Sequence, residues 1–286
     1  WTERRSALVF MLKLHLANFR LPQDISEATL LEEFQQPSAT IRYLWEPLCL
    51  AALNTPLRAA SAQVFLNVLR DTFGRNREDS DLLLPRSGLS EVFPEHAAEY
   101  IRRNAGEVLI SSGVDSITST RDGFKLEYAD NSRDFSHVIC AVPPFRLAGL
   151  VGQLPGLNEP AAMVASLNYQ PIYTVYLQYP QPVALPFPML GLLYGSGQWV
   201  FDRAHLCGQD GLLAVVISAE GPHQSMDHDA LATSAHAQLT KMLPNLPAPL
   251  WHQVIAEKRA TFSCTPFVER PAQRTPLKNF FMAGDY

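Results

Sequence analysis

The sequence has no glycine-rich phosphate loop. Its 15 glycines form neither G-x-G-x-x-G nor G-x-x-x-x-G-K-[ST], and the nearest approach, Gly195-Ser196-Gly197, runs on into Gln198-Trp199-Val200. A diphosphate therefore finds no cradle of backbone N–H groups at a helix start within this chain. The nucleophile elbow G-x-S-x-G is missing too, so a serine-hydrolase triad is not expected. Cysteine is scarce. Cys49, Cys140, Cys207 and Cys264 lie far apart, in neither a C-x-x-C knuckle nor a dense disulfide framework, and a reduced, cytoplasmic setting is expected. Nor is there a basic excess: 23 Lys plus Arg face 28 Asp plus Glu, a net charge of -5, and no nucleic-acid partner is expected. No apolar run reaches the roughly 18 residues a membrane-spanning helix needs. The nearest, 183–194, is broken by Pro186 and Pro188. Arg4 and Arg5 followed by 6–12 imitate a signal peptide, but Lys13 and His15 interrupt it and no small-residue cleavage site follows.

What the chain has in plenty is apolar surface. Of its 286 residues 47% are hydrophobic and 18% charged, below the roughly 25% charged share of ordinary soluble domains. At about 150 residues per domain, the length allows two domains or one large one.

Residues 2–74 follow helical spacing. Leu8, Leu12, Leu16 and Phe19 recur at helix intervals, Asp24 with Glu27 makes a capping-box pattern, and Val64, Val68 and Leu69 lead to a stop at Gly74. The run 75–81, RNREDSD, reads as a solvated boundary turn. A short strand at 82–84, a turn at 85–88 and a helix at 89–104 follow, with Gly106 placed as the capping glycine. The period then changes. Strands are predicted at 107–111, 114–120, 124–129 and 137–142, separated by Gly113, Arg121-Asp122-Gly123 and Asp130-Asn131. Pro143-Pro144 ends the last of them, since neither proline can donate to a ladder. A helical piece to Leu150, strands at 172–179, 198–202 and 212–219, a helix at 227–243 and a strand at 251–262 complete the pattern.

His223, Asp227, His228, Asp229 and His236 crowd together, with His228 and His236 near one predicted helix face, a spacing a metal ion could use. A solvated helix start with acidic residues favoured by the macrodipole is the preferred reading, and no metal is expected.

Three separated pieces carry the most information: Leu84-Pro85-Arg86-Ser87-Gly88-Leu89-Ser90-Glu91-Val92-Phe93; the segment 108–117 with Val138-Ile139-Cys140-Ala141-Val142-Pro143-Pro144; and Asn279-Phe280-Phe281-Met282-Ala283-Gly284-Asp285. In this order they resemble the flavin-containing amine oxidase and phytoene desaturase superfamily, in which a P-x-G-G-L helix, a strand with an adenine-contacting valine, an A-x-P-P strand end and a terminal A-G-D appear in turn. Within it the likeness is closest to the squalene-associated FAD-dependent desaturases, also called hydroxysqualene dehydroxylases. That likeness rests on the helical opening, LPRSGLSEVFPEHAAEYI, the run EKRATF at 257–262 and the ending NFFMAGDY. Ser87 departs from it, standing where the family usually has the first glycine of its pair.

The resemblance implies an α+β / α/β fold: an FAD/NAD(P)-binding, glutathione-reductase-like domain fragment at 81–150 and 272–286, interleaved with a helical plus mixed-sheet substrate domain at 1–80 and 151–271. It implies FAD as cofactor, with Val114 offering main-chain groups to the adenine edge, Ala141 keeping a strand end slim, Gly284 allowing close backbone approach and Asp285 accepting from a ribityl hydroxyl. No catalytic residue is named. The chain opens on Trp1 and closes on Tyr286, and the family's glycine-rich turn and ribose carboxylate would lie before it, a further segment after it. The chain alone is accordingly expected to fold in part, to be inactive and not to retain FAD. The implied function is an FAD-dependent oxidoreductase acting on a hydrophobic polyisoprenoid, the favoured reaction being conversion of hydroxysqualene to squalene in hopanoid biosynthesis. Carotenoid desaturation and flavin amine oxidation are the alternatives within the superfamily, and non-catalytic binding of an apolar ligand is the alternative outside it. A cytoplasmic location with peripheral contact at the inner membrane is expected, through the stretch 183–193 with Leu185, Phe187, Met189 and Leu190.

Overall fold

The computed structural model describes residues 2–74, 76–284 and 286. Helices α1 (Thr2–Leu16), α2 (Glu27–Glu33), α3 (Ser38–Thr40), α4 (Glu46–Leu53) and α5 (Ala62–Phe73) come first, a π-helical turn at Ile41–Trp45 joining α3 to α4. A 3-10 turn (Arg77–Ser80), α6 (Leu89–Val92) and α7 (Pro94–Arg103) lead to strands β1 (Ser116–Ser119), β2 (Phe124–Tyr128), β3 (Asn131–Phe135) and β4 (Val138–Cys140), then α8 (Pro144–Val151) and α9 (Asn158–Ala165). Next are β5 (Tyr169–Gln178), β6 (Met189–Gly191), β7 (Trp199–Asp202), α10 (Arg203–Cys207), β8 (Leu212–Ser218), α11 (His228–Thr240), β9 (Trp251–Phe262) and β10 (Phe280–Met282). The chain forms two compact units, Trp1–Phe93 with Tyr169–Phe267, and Pro94–Asn168 with Val268–Tyr286.

The first unit joins a helical cluster to a five-stranded antiparallel sheet of order β6-β7-β8-β5-β9. Strand β5 alternates, so that Tyr173, Val175 and Leu177, with Tyr179 just past its end, point inward with Val215, Ile217 and Val254, under Leu231, Ala235 and Leu239 of α11. Asp227 caps α11 by accepting from Ala230 N at 2.7 Å. In the helical cluster, Ser61 caps α5, and Asp24 holds that cap: its carboxylate accepts from Ser61 Oγ at 2.7 Å and from Gln63 N at 3.0 Å. Asp24 thus serves α5 rather than a capping box with Glu27, and Ser26 caps α2. Glu27 instead is wholly buried beside Cys49.

Helix α1 also differs from the sequence reading. Phe10 and Leu14 enter the core, and Phe19 follows just beyond the helix, whereas Leu8, Leu12 and Leu16 are 71%, 59% and 74% exposed. The aromatic rings decide the face, because Phe10 meets Phe34 at 5.1 Å and Trp45 at 5.2 Å edge to face. Residues 82–84 are not a strand, and Leu83 is 93% exposed. The predicted helix 89–104 breaks between Val92 and Pro94, where proline restricts its predecessor. At its end Ala105 takes the left-handed conformation (φ 61°) and Gly106 N donates to Ile101 O, so the capping glycine falls one residue late.

In the second unit, β1-β2-β3 form an antiparallel meander and β4 pairs with β10 in parallel. The predicted strand at 107–111 is absent from the described residues there, and β3 stands where a turn into a single later strand was expected. Helix α8 packs on α9 and on β1, burying Leu147, Val151, Leu157 and Val164.

Loop 193–197, between β6 and β7, is clamped by Gln238. The Gln238 amide donates to Gly197 O at 2.8 Å and Leu193 O at 3.2 Å and accepts from Gly197 N at 3.0 Å. A Cβ at Gly197 would lie 2.5 Å from Val215 Cγ1, so the close approach requires glycine.

Two measurements check this packing. Burial pushes the Glu27 carboxyl up to about 8, which the Cys49 thiol beside it offsets only in part. A folded pKa above the unfolded value means the proton is held by the folded state, so this contribution is present in full below about 4.5 and is lost as pH rises to about 8. Glu27→Gln removes that slope and, at pH 8, is expected to exceed the parent in stability by on the order of 3 kcal/mol in urea titrations. Parent and variant running parallel from pH 5 to pH 8 would show a solvated carboxyl. Gln238→Ala leaves the Gly197 N–H and two carbonyls unpaired and is expected to cost about 2 to 3 kcal/mol. An unchanged urea midpoint would show that the clamp carries no stability.

Candidate functional site

The second unit brings two of the predicted residues together. Parallel pairing sets Phe280, Phe281 and Met282 against Val138, Ile139 and Cys140, and Ala283 N continues the ladder to Cys140 O at 3.0 Å. Ala141 and Gly284 therefore leave the same carboxyl end of adjacent parallel strands, the edge where open α/β sheets receive ligands. Both are exposed. Pro143 and Pro144 start α8 directly beyond Ala141, placing the positive end of a helix next to that edge. A Cβ at Gly284 would lie 2.7 Å from Cδ1 and 2.9 Å from Cζ of the Tyr286 ring, so only glycine lets the main chain lie along that ring. Cys140 is buried, and burial pushes its thiol up, which keeps it neutral. These small residues and open main-chain groups fit a cofactor approached at backbone distance. Asp285 lies outside the described residues.

Val114 is in a different place. It is half-buried in the loop ahead of β1, an edge strand of the meander. Its neighbour Asp115 is fixed by N–H donation to Glu127 O at 2.8 Å and by accepting from Ala129 N at 3.1 Å. The meander reaches the parallel pair through Phe124, whose ring stands edge-on to Phe280 at 5.5 Å.

The first unit holds two adjoining cavities that meet at Tyr43, in the π-helical turn. One, about 890 Å³, is an apolar groove between α1 and the segment from α3 to α4, with Leu8, Met11, Leu44, Leu48 and Phe73 among its walls. The other, about 640 Å³, is mixed in character, and Arg42, Tyr194, Gln198 and Trp199 line it. There the Arg42 guanidinium stands 4.9 Å from the Tyr194 ring, and the Tyr43 and Tyr194 hydroxyls are 3.3 Å apart. The hydrogen bond to Tyr194 pushes the Tyr43 phenol up. Sequence reasoning missed this cluster. Arg42 and Tyr43 lie 151 or more residues from Tyr194 in the chain, a separation that does not announce their meeting, and a π-turn, often found at functional sites, has no sequence signature.

The histidine group does not assemble. His223 is buried edge-on to Tyr173 with its ring held neutral by burial, Asp227 caps α11, His236 meets the Tyr179 hydroxyl at 3.1 Å and Asp229 pairs with His252 at 3.0 Å. Among the described residues no group of three or more metal-binding side chains is present, and no helix is long and apolar enough to cross a membrane. In the stretch 183–193 only Met189–Gly191 belongs to the sheet; Leu185 is buried, its N–H donating to Asp202 at 3.0 Å, whereas Phe187 and Leu193 are 63% and 45% exposed. Burial opposes ionisation of Asp202, but donors from Leu185, His205 and Ala204 outweigh it and hold the carboxyl below the usual range.

Comparison with known proteins agrees with the resemblance read from the motifs. The chain is 30% identical over 255 residues to hydroxysqualene dehydroxylase of Sinorhizobium fredii, covering 86% of this chain and 56% of that protein. It is 29% identical over 250 residues to hydroxysqualene dehydroxylase of Rhodopseudomonas palustris, covering 84% and 55%. The chain thus spans about half the length of the curated relatives it matches. Among solved structures, an oxidoreductase from Methanosarcina mazei superimposes with a TM-score of 0.72 over 100% of this chain and 68% of that one at 13% identity. Putrescine oxidase bound to putrescine does so with a TM-score of 0.70 over 99% and 70% at 15% identity. These neighbours share the fold expected for a flavin oxidase. The model of the flavin containing amine oxidoreductases matches residues 1–286, and the chain belongs to that family.

Proposed function

We propose that the protein is an FAD-dependent oxidoreductase acting on a hydrophobic polyisoprenoid, and that its reaction is the reductive removal of the hydroxyl group of hydroxysqualene to give squalene, a step of hopanoid biosynthesis. The observation that carries this reading is the match of more than four-fifths of the chain to relatives named hydroxysqualene dehydroxylase. The apolar groove of about 890 Å³ supports it, since a long hydrocarbon needs an apolar enclosure and few polar contacts.

In this reading the second unit belongs to the cofactor domain and the first to the substrate domain. FAD, when bound and reduced, would supply the hydride that replaces the hydroxyl, which would take up a proton and leave as water while the flavin is oxidised. Ala141 and Gly284 keep the strand ends low so that the cofactor meets main chain rather than side chain. Asp285 accepts from a ribityl hydroxyl, and Val114 offers its main-chain groups to the adenine edge. Arg42, Tyr43 and Tyr194 give the substrate's single polar group a place beside the apolar groove. No acid or base is assigned, because no side chain here has been brought to a reacting atom. A second reading is desaturation of a carotenoid, which a 31% identity over 83 residues to zeta-carotene desaturase of Arabidopsis thaliana supports.

The test is turnover of the full-length flavoprotein with hydroxysqualene, a phytoene-type carotenoid and a primary amine in parallel. Squalene formed at the expense of reduced flavin is the expected result, and turnover of the carotenoid or the amine alone would overturn the reading. For the cofactor residues, Asp285→Ala is expected to weaken FAD binding roughly ten- to a hundredfold, as for loss of a charge-assisted hydrogen bond. Gly284→Val, whose side chain meets the Tyr286 ring, is expected to lower flavin content as well. Unchanged flavin affinity in both variants, measured by equilibrium dialysis, would remove the A-G-D segment from the site.

A further inference from the structure

Helix α1 has two apolar faces and the fold uses one. Phe10 and Leu14 are buried, while Leu8, Leu12 and Leu16, four residues apart in turn, form a line along the opposite side with more than half of each exposed. Scattered exposed leucines need no explanation, but a contiguous stripe does. The charge along it is mainly basic, Glu3 in the first turn being the acidic exception. From Arg4 to Gln23 the chain contains no Asp or Glu, and it carries Arg4, Arg5, Lys13 and Arg20 in a protein whose net charge is -5. Arg4 and Arg5 are exposed on the turn that precedes Leu8. A helix with an apolar stripe flanked by arginines suits the interface of a bilayer with anionic headgroups, because the leucines enter the acyl boundary while the guanidinium groups stay at the phosphates. The groove beside the helix opens along the same surface: Leu8 belongs to both the stripe and the groove wall, and Arg4 stands at the groove as well.

We propose that the outer face of α1 docks on an anionic lipid surface, and that the adjoining groove is the door through which an apolar ligand passes from bilayer to protein. The docking rests on α1 alone, and the passage of an isoprenoid rests on the function proposed above. The charge pattern is what favours lipid over a second copy of the chain, since two like surfaces would set Arg4 and Arg5 against their own counterparts. Phe187, in the stretch 183–193, is exposed without a comparable line of apolar neighbours along one helix face and serves as a control.

The experiment is flotation of the full-length protein with vesicles of phosphatidylcholine alone or with phosphatidylglycerol. Binding to the anionic vesicles is expected, weakening with salt, with little binding to the neutral ones. Replacing Leu12 and Leu16 together by Ser, or Arg5 by Glu, none of which lines the groove, is expected to lower the partition coefficient roughly tenfold or more, and Phe187→Ser to leave it unchanged. Circular dichroism and thermal melting report whether the variants fold. A full-length protein that ignores anionic vesicles overturns the proposal, as do leucine variants that melt lower, which would mean that another part of the chain covers the stripe. Leucine variants that turn a dimer into a monomer in sedimentation velocity without changing flotation overturn it too. Turnover of substrate in detergent, measured on the same variants, reports separately on the proposed reaction: retained turnover with lost flotation supports the docking face, and absent turnover with intact flotation counts against the reaction alone.

Discussion

The pairing of β4 with β10 dictates the chain's course. Parallel strands cannot be joined by a tight turn, and here the return connection contains two helices of the second unit and then all five strands of the first unit's sheet. Once 280–282 must lie beside 138–140 in register, everything from Ala141 to Asn279 has to leave and come back. The discontinuity of the second unit follows from that one ladder, and so does the meeting of Ala141 with Gly284. Both residues are small and exposed where the ladder ends, which leaves the last main-chain groups there open.

A second set of constraints is polar and buried, and it ties helices to sheet inside the first unit. Asn54 ends α4 in the left-handed conformation (φ 44°), donates to Thr261 Oγ1 at 3.0 Å and Pro171 O at 3.3 Å and accepts from Ala219 N at 2.7 Å, so that one side chain joins β9, the start of β5 and the end of β8. Thr55 accepts from Cys264 N, Cys264 O accepts from Ser61 N, and Gln170 bridges Ser263 and the Glu220 N–H. Each such group would be costly if unpaired in the interior. They therefore fix how the helices sit on the strands more sharply than the apolar contacts around them, which tolerate sliding.

That distinction explains which parts of the fold were legible in the sequence. Strand β9, Trp251–Phe262, has the bounds its pattern gives, and the tyrosine and valine alternation of β5 is plain, because period-2 burial writes itself directly into the residues. The helical block was legible as helices. The A-x-P-P and A-G-D pieces carried the family and the cofactor. By contrast Asp24 and Asn54 act across long sequence distances, and short polar side chains at such positions look like any local cap. Strand β3, with every residue exposed, has no burial pattern to read. The Arg42, Tyr43 and Tyr194 cluster depends on a π-turn and on a loop held by Gln238, neither of which has a period.

The misreading of α1 has the most direct physical cause. Its sequence is apolar around nearly the whole circumference, so spacing alone offers two candidate stripes, one of leucines and one through Phe10 and Leu14. Periodicity says that a helix has a buried face without saying which, when both faces qualify. Shape decides: Phe10 finds Phe34 and Trp45 at edge-to-face distance, a contact that leucines cannot replace, and Trp45 is itself anchored by donating to Gln36 at 3.0 Å. The surplus of hydrophobic over charged residues in the composition is therefore not all core. Part of it is displayed, on one helix, next to arginines and beside an apolar groove of about 890 Å³, where it adds nothing to the core.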